Sequence, residues 1–140
     1  MSLIIMPSII IGLVIGIYEA ILLHRDVTVG THRFGHTIHA LIFAVIATFA
    51  SMNASFVLQN IPAIAKIPFV GTEIGLRVLV ALIAIIKIHG VSFAIKSTIG
   101  GSSLGLAETW THALIIGALI GLAPSIYPFV KPSLPVWARD

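Results

Sequence analysis

Long apolar stretches separated by short polar segments dominate the chain. Four such stretches occur, at residues 3–23, 31–58, 72–95 and 106–126. The first has Glu19 as its only charged side chain and, at about 1.5 Å per residue, is long enough to cross a hydrocarbon core of roughly 30 Å. The pattern predicts an all-α integral membrane protein with four transmembrane helices in an up-and-down bundle. It forms a single membrane domain, 1–140, that ends in an extended interfacial tail at 127–140.

Local signals refine two of the predicted helices. Thr72 precedes the third stretch and can cap it, while Glu73 and Arg77 are spaced as an i,i+4 ion pair on its first turns. Pro124 and Pro128 fall inside the fourth stretch, where the missing amide donor is expected to break the helix. We therefore expect the third helix to be continuous and the fourth to be interrupted.

The composition indicates whether this protein is surrounded by water or by lipid. The apolar residues make up 58% of the chain and the charged ones 9%, with a mean hydropathy of +1.11. So few charged side chains cannot cover the surface of a water-soluble domain. A soluble enzyme, a disordered segment and a nucleic-acid-binding module are excluded, the last because the cations are scattered. We expect a multi-pass protein of the cell membrane whose first partner is the lipid bilayer, with no nucleic acid.

One further alternative concerns the first apolar stretch, which could be a cleaved secretory signal. Such a signal begins with cations and ends at small residues. No cation precedes residues 3–23, and Tyr18 and Glu19 stand where small residues would be needed. The sequence favours a retained helix.

Three histidines at the start of the second stretch form the chief chemical motif. His32, His36 and His39 are spaced i, i+4 and i+7, which places their imidazoles within about 60° of one another on a helix. This is the spacing by which one helix delivers several ligands to a metal ion. If the helix began only after Gly35, His32 would leave the stripe.

An up-and-down bundle would bring further ionisable residues to the same end. Glu108 and His112 are four apart near the start of the fourth stretch. The predicted metal ligands are His32, His36, His39, Glu108 and His112, and a surrounding polar cluster comprises Glu19, His24, Asp26 and His89. With no cysteine in the chain, such nitrogen and oxygen ligands suit zinc (Zn), copper (Cu) or non-haem iron (Fe).

The clustering has three interpretations. Ionisable groups inside a membrane are costly unless they are paired or hydrated, so gathering them at one level indicates a shared polar site. That site could be structural, with hydrogen bonds between helices. It could instead bind a metal, or relay protons through titrating imidazoles. Lys87, nearby, is expected to extend its ammonium to the interface as a solvated cation.

Small residues repeat at intervals of four in two of the apolar stretches. Gly12 and Gly16 form one pair, and Gly117 and Gly121 form another. Because glycine has no side chain, such pairs let two helix backbones approach closely in a membrane. They predict close helix packing without identifying the helices that meet.

Two resemblances to known families bear on function. The stretch His32–Thr37 resembles the His-Arg-Gly-x-Thr-His segment of small membrane-bound metal-dependent hydrolases, but the order of Gly, Thr and His differs and no catalytic residue is carried over. The short, Ile- and Ala-rich, cysteine-free, four-pass chain is similar to the small hydrophobic accessory subunits of archaeal membrane complexes, including the ammonia monooxygenase type. That resemblance implies a helical subunit packed around catalytic subunits that carry the metal.

Three functions from different classes follow. The favoured one is a non-catalytic accessory subunit of a larger membrane enzyme complex, with other integral membrane subunits as partners, because short loops leave little protein outside the bilayer. The second is a membrane metalloprotein, either an oxidoreductase or a hydrolase, with the His/Glu site named above. The third is a proton or ion transporter that uses the same ionisable groups.

Overall fold

The computed structural model describes residues 3–26, 30–98 and 110–139, with the side chains of 25–36 and 91–98 excepted. The described chain is all-helical, without strands. Its helices are α1 (Met6–Asp26), α2 (Gly30–Met52), α3 (Ala54–Asn60), α4 (Pro62–Ala65), α5 (Glu73–Thr98) and α6 (Trp110–Val130), followed by 3₁₀ turns at Lys131–Ser133 and Val136–Ala138. The all-helical prediction is confirmed for these residues.

Four long helices, α1, α2, α5 and α6, pack around one apolar core. Each contributes small or aliphatic side chains: Ile15, Ala44, Ala47, Ala84, Ile88, Ala113, Ile116 and Ile120. Alanine at half of these positions keeps the helices close together, and the aliphatic residues fill the space between them. The core thus ties the first two long helices to the last two.

Both glycine pairs lie at contacts between helices that follow each other in the chain. A Cβ added to Gly12 would lie 2.7 Å from the Val45 Cα, and one added to Gly117 would lie 2.9 Å from the Ala81 carbonyl oxygen. The order of these contacts shows that α1 is antiparallel to α2 and α5 to α6. The predicted close packing is confirmed, and the surfaces that meet belong to this chain.

The hydrophobic pattern predicted one helix over residues 31–58, but the second apolar stretch forms two helices. The helix ends at Met52, and α3 departs at an angle of 79°. Asn53 stands at the break, where its side chain accepts a hydrogen bond from the Ile4 amide at 2.8 Å and donates to Ser8 Oγ at 3.2 Å. The chain turns here because the amide side chain fixes the start of α1 against the end of α2.

The third predicted helix begins as its local signals indicated. Gly75 donates its amide hydrogen to Thr72 Oγ1 at 3.0 Å, so Thr72 caps α5. Arg77 and Glu73 form the expected ion pair at 3.1 Å. The helix extends to Thr98, slightly beyond the predicted end at 95.

The end of the chain departs from prediction twice. Pro124 and Pro128 lie inside α6, which continues through both to Val130, so the expected break is wrong. Packed transmembrane helices tolerate proline when neighbouring groups compensate for the lost hydrogen bond. The tail is also not extended: Arg139 donates from Nε to the Leu134 carbonyl at 2.8 Å and accepts a hydrogen bond from Tyr127. These bonds fold the tail back, with Ala138 buried.

By length and apolar composition, two described helices can cross a membrane: Met6–His24 and Trp110–Ser133. The bent pair Thr37–Met52 and Ala54–Asn60 makes a third if it counts as one span. The long helix α5 carries Glu73, Arg77 and Lys87 and is not counted with them. Two or three membrane spans are therefore supported, and the four-span bundle stays a prediction.

Candidate functional site

Glu19 is the buried carboxylate at the centre of the candidate site. It lies on α1, one turn beyond the core residue Ile15, and is only 2% exposed. Its Oε2 atom is buried and accepts no hydrogen bond from the described residues. A buried polar atom without a partner is costly, and in a stable bundle it marks a place where some other group interacts.

Lys87 on α5 supplies a positive charge to this carboxylate. Its ammonium acts electrostatically on Glu19, and its Nζ lies 3.7 Å from the centre of the Phe43 ring on α2. A cation over an aromatic face is stabilised by the ring quadrupole. Lys87 is half-buried, with its ammonium over Phe43, and the snorkelling of this side chain to the interface stays a prediction. Three helices, α1, α2 and α5, contribute to this part of the site.

Aromatic and imidazole groups lie at the same end of the bundle. His89 on α5 stacks on Trp110, the first described residue of α6, with ring centroids 3.8 Å apart and an interplanar angle of 24°. His112 follows two residues later and is buried. The described contacts link α1, α2 and α5 through Glu19, Lys87 and Phe43, and they link α5 to α6 through His89 and Trp110. We call Glu19 and Lys87, with the Phe43 ring under the ammonium, the interior polar centre.

The predicted histidine stripe is described only in part. Helix α2 begins at Gly30, so its backbone carries His32, His36 and His39 on one continuous helix, as the stripe requires. His39 is exposed, whereas His112 is buried. The side chains of His32 and His36 lie outside the described residues. The stripe is therefore compatible with this backbone, and His39 is its one member whose side chain is described.

Of the remaining predicted site residues, some are described and others lie outside the described part of the chain. His24 is exposed, with Nδ1 2.9 Å from the Ala20 carbonyl oxygen of its own helix. The Asp26 side chain and all of Glu108 lie outside the described residues. No group of three His, Asp or Glu side chains within the described part is placed to hold a metal ion. The metal site stays a prediction that rests on the residues not described.

Sequence reasoning did not find two important residues. Lys87 was expected to be solvated and not to lie over Phe43, and Asn53 was not among the predicted site residues. For Lys87 a signal did exist, since it lies at the level of Glu19 once α1 and α5 are placed in the same bundle. For Asn53 no local pattern reveals that its side chain reaches Ile4, because that contact joins residues 49 apart in the chain.

A groove lies on the outside of the bundle, between α1 and α6. It encloses about 290 Å³ and is lined entirely by apolar side chains, which include Ile10, Val14, Tyr18, Leu119, Ile126 and Leu134. Tyr18 and Val14 are exposed beside it. We call this the α1/α6 groove.

Comparison with protein-family models, with curated proteins and with solved structures finds no match for the chain.

Proposed function

We propose that this chain is a multi-pass protein of the cell membrane, with four spans in an up-and-down bundle, and that it acts as a non-catalytic accessory subunit of a larger membrane enzyme complex. The ammonia monooxygenase type of archaeal complex is the example to which the sequence is similar. The proposal is supported by an apolar exterior, on which large side chains such as Val14, Ile46 and Ile86 are well exposed. Such a surface requires lipid or other membrane helices around it.

The observation that carries the subunit role is the α1/α6 groove. The surface that faces the groove is apolar, so it fits an apolar transmembrane helix that inserts large side chains. The glycine pairs pack between α1 and α2 and between α5 and α6, so they are not available for close backbone contact with a partner. A partner subunit would instead be held by side-chain packing along α1 and α6.

Two bulky substitutions test the groove. Val14 lines it and Ile46 on α2 does not, although both are 62% exposed. We expect Val14→Trp to fill the groove and lower recovery of partner subunits in mild detergent at least several-fold, because shape complementarity at the groove is lost. Ile46→Trp should leave recovery unchanged. Quantitative mass spectrometry of both purified samples, made in the native host, measures the difference.

The subunit role fails if the wild-type protein purifies without stoichiometric membrane partners, or if the two variants lose partners equally. Circular dichroism of both variants shows that each is folded. Metal analysis of the same samples tests the metalloprotein alternative. One zinc, copper or iron per chain in partner-free protein would favour that alternative.

The interior polar centre favours proton or ion transport as a second candidate. Glu19 is a buried carboxylate that feels the Lys87 charge, and its Oε2 atom has no hydrogen-bond partner within the described part of the chain. Buried ionisable groups of this kind occur where membrane proteins move protons or ions. If the chain transports, Glu19→Gln abolishes flux into proteoliposomes, whereas Glu73→Gln, at an exposed carboxylate, preserves it. Equal flux in wild type and Glu19→Gln, or no flux above empty liposomes, would eliminate transport.

A further inference from the structure

A second groove lies on the outer side of the bundle, between α5 and α6. It encloses about 370 Å³, and its body is apolar, with Val78, Ala81, Ala118 and Leu122 among the lining residues. Its polar lining comes from Arg77 and Ser125. The groove therefore combines an aliphatic channel with a cation and a hydroxyl group.

In the four-span arrangement proposed above, on which this inference rests, Arg77 lies near the membrane interface. It is one turn after the Thr72 cap of α5, and its side chain is 26% exposed. Its Nη2 donates to Glu73 Oε2 at 3.1 Å, while its Nε–H is shielded from solvent and has no acceptor among the described residues. Arg77 lines the groove, so an oxygen acceptor there would approach the exposed part of its guanidinium side chain. Ser55 on α3 donates to the other oxygen of Glu73.

Charge at this end of the bundle also favours an anion. The described cations there are Lys66, Arg77, Lys131 and Arg139. Glu73 is the carboxylate at this end within the described ranges, and it is already bonded on both oxygens. Basic sites between helices at a membrane face suit anionic lipid headgroups, and Arg matches the geometry of phosphate.

We propose that the α5/α6 groove binds one anionic phospholipid. Its phosphate accepts hydrogen bonds from Arg77 and Ser125, and one acyl chain lies along Val78, Ala118 and Leu122. The headgroup sits at the interface, and the chain runs toward the middle of the bilayer, as the position of Arg77 near the start of α5 requires. The site is separate from the α1/α6 groove and does not depend on a partner subunit.

Native mass spectrometry of the full chain, delipidated in detergent, tests the proposal with phosphatidylglycerol as the probe. Phosphatidylcholine has the same chains and a phosphate but no net charge. We expect wild type to retain one phosphatidylglycerol, roughly tenfold more tightly than phosphatidylcholine, since charge-assisted hydrogen bonds are the stronger ones. Arg77→Gln should remove that preference. Lys131→Gln is the matched control, because it deletes a cation of the same membrane face that does not line the groove, and it should keep the preference.

Two further arms separate the headgroup from the chain. Ala118→Phe fills the apolar body and should lower the affinity for both lipids, with circular dichroism to confirm folding. Soluble glycerol 3-phosphate should not displace the lipid. Equal binding of the two lipids by wild type, equal loss in Arg77→Gln and Lys131→Gln, or displacement by glycerol 3-phosphate would each overturn the proposal.

Discussion

The Asn53 side chain connects two helices through several hydrogen bonds. Its side chain bonds to both backbone groups of Ile4, to Ser8 Oγ and to the Phe49 carbonyl oxygen, and it is buried. One amide thus joins the start of α1 to the end of α2. In an apolar setting, each of these groups would be costly to leave unpaired.

Asn53→Ala should therefore lower the free energy of unfolding by about 2–3 kcal/mol, since several buried hydrogen bonds are lost together. Asn60→Ala is the matched control. Its exposed side chain bonds to the Phe56 carbonyl oxygen of its own helix at 2.8 Å, and we expect a change of less than about 1 kcal/mol. Thermal unfolding in one detergent, followed by circular dichroism, compares the two. Equal losses would contradict the tertiary role of Asn53.

At this scale, sequence predicts what depends on near neighbours. The Thr72 cap and the Glu73–Arg77 pair are set by residues three and four apart, and both are present. The position of Lys87 over Phe43 depends on how α2 and α5 pack, and hydropathy alone assigned that ammonium to water. Residues whose partners lie on other helices could not be placed before the bundle was known.

Helices meet through their smallest residues in this molecule. Gly12 and Gly16 face α2, while Gly117 and Gly121 face α5. Gly90 differs, because a Cβ there would meet none of the described atoms within 4 Å. The chain therefore offers the same substitution in a tight and in an open position.

Gly12→Ala should destabilise the protein by about 1–3 kcal/mol, because the new methyl group would lie 2.7 Å from the Val45 Cα and force α1 away from α2. Gly90→Ala should be neutral or stabilising by up to about 1 kcal/mol, since alanine is the better helix former. Denaturation in mixed micelles measures both. If Gly12→Ala were as well tolerated as Gly90→Ala, the close α1–α2 contact would be wrong.

Among the elements, the apolar pattern predicted the existence of each long helix but not its interruptions. The 79° bend after Met52 is caused by a side-chain contact at Asn53 that the hydrophobic pattern does not contain. Conversely, Pro124 and Pro128 were expected to break a helix that continues through them. Packing against neighbouring helices decides both cases.

For the whole molecule, composition together with the length of the apolar stretches predicted an apolar helical protein, and the described residues agree. The number of membrane spans does not follow from composition in the same way. α5 carries charges on its first turns and again at Lys87, so it is not counted as a membrane span by hydropathy. It nevertheless packs against the other long helices, with the Lys87 ammonium over Phe43. The metal site stays a prediction, because the side chains of His32 and His36 and all of Glu108 lie outside the described residues. Within the described part, Glu19, which the sequence placed in the polar cluster, is buried and feels the charge of Lys87.

The central claim is that all four long helices cross the membrane. The chain contains no cysteine, so single cysteines can be introduced at Lys66, Ser102 and Lys131 and labelled with a membrane-impermeant maleimide in sealed, oriented vesicles. Four spans place Lys66→Cys and Lys131→Cys on one side and Ser102→Cys on the other. Labelling of Lys66→Cys and Ser102→Cys from the same side would show that α5 does not cross, and release of the protein by carbonate would contradict membrane integration altogether.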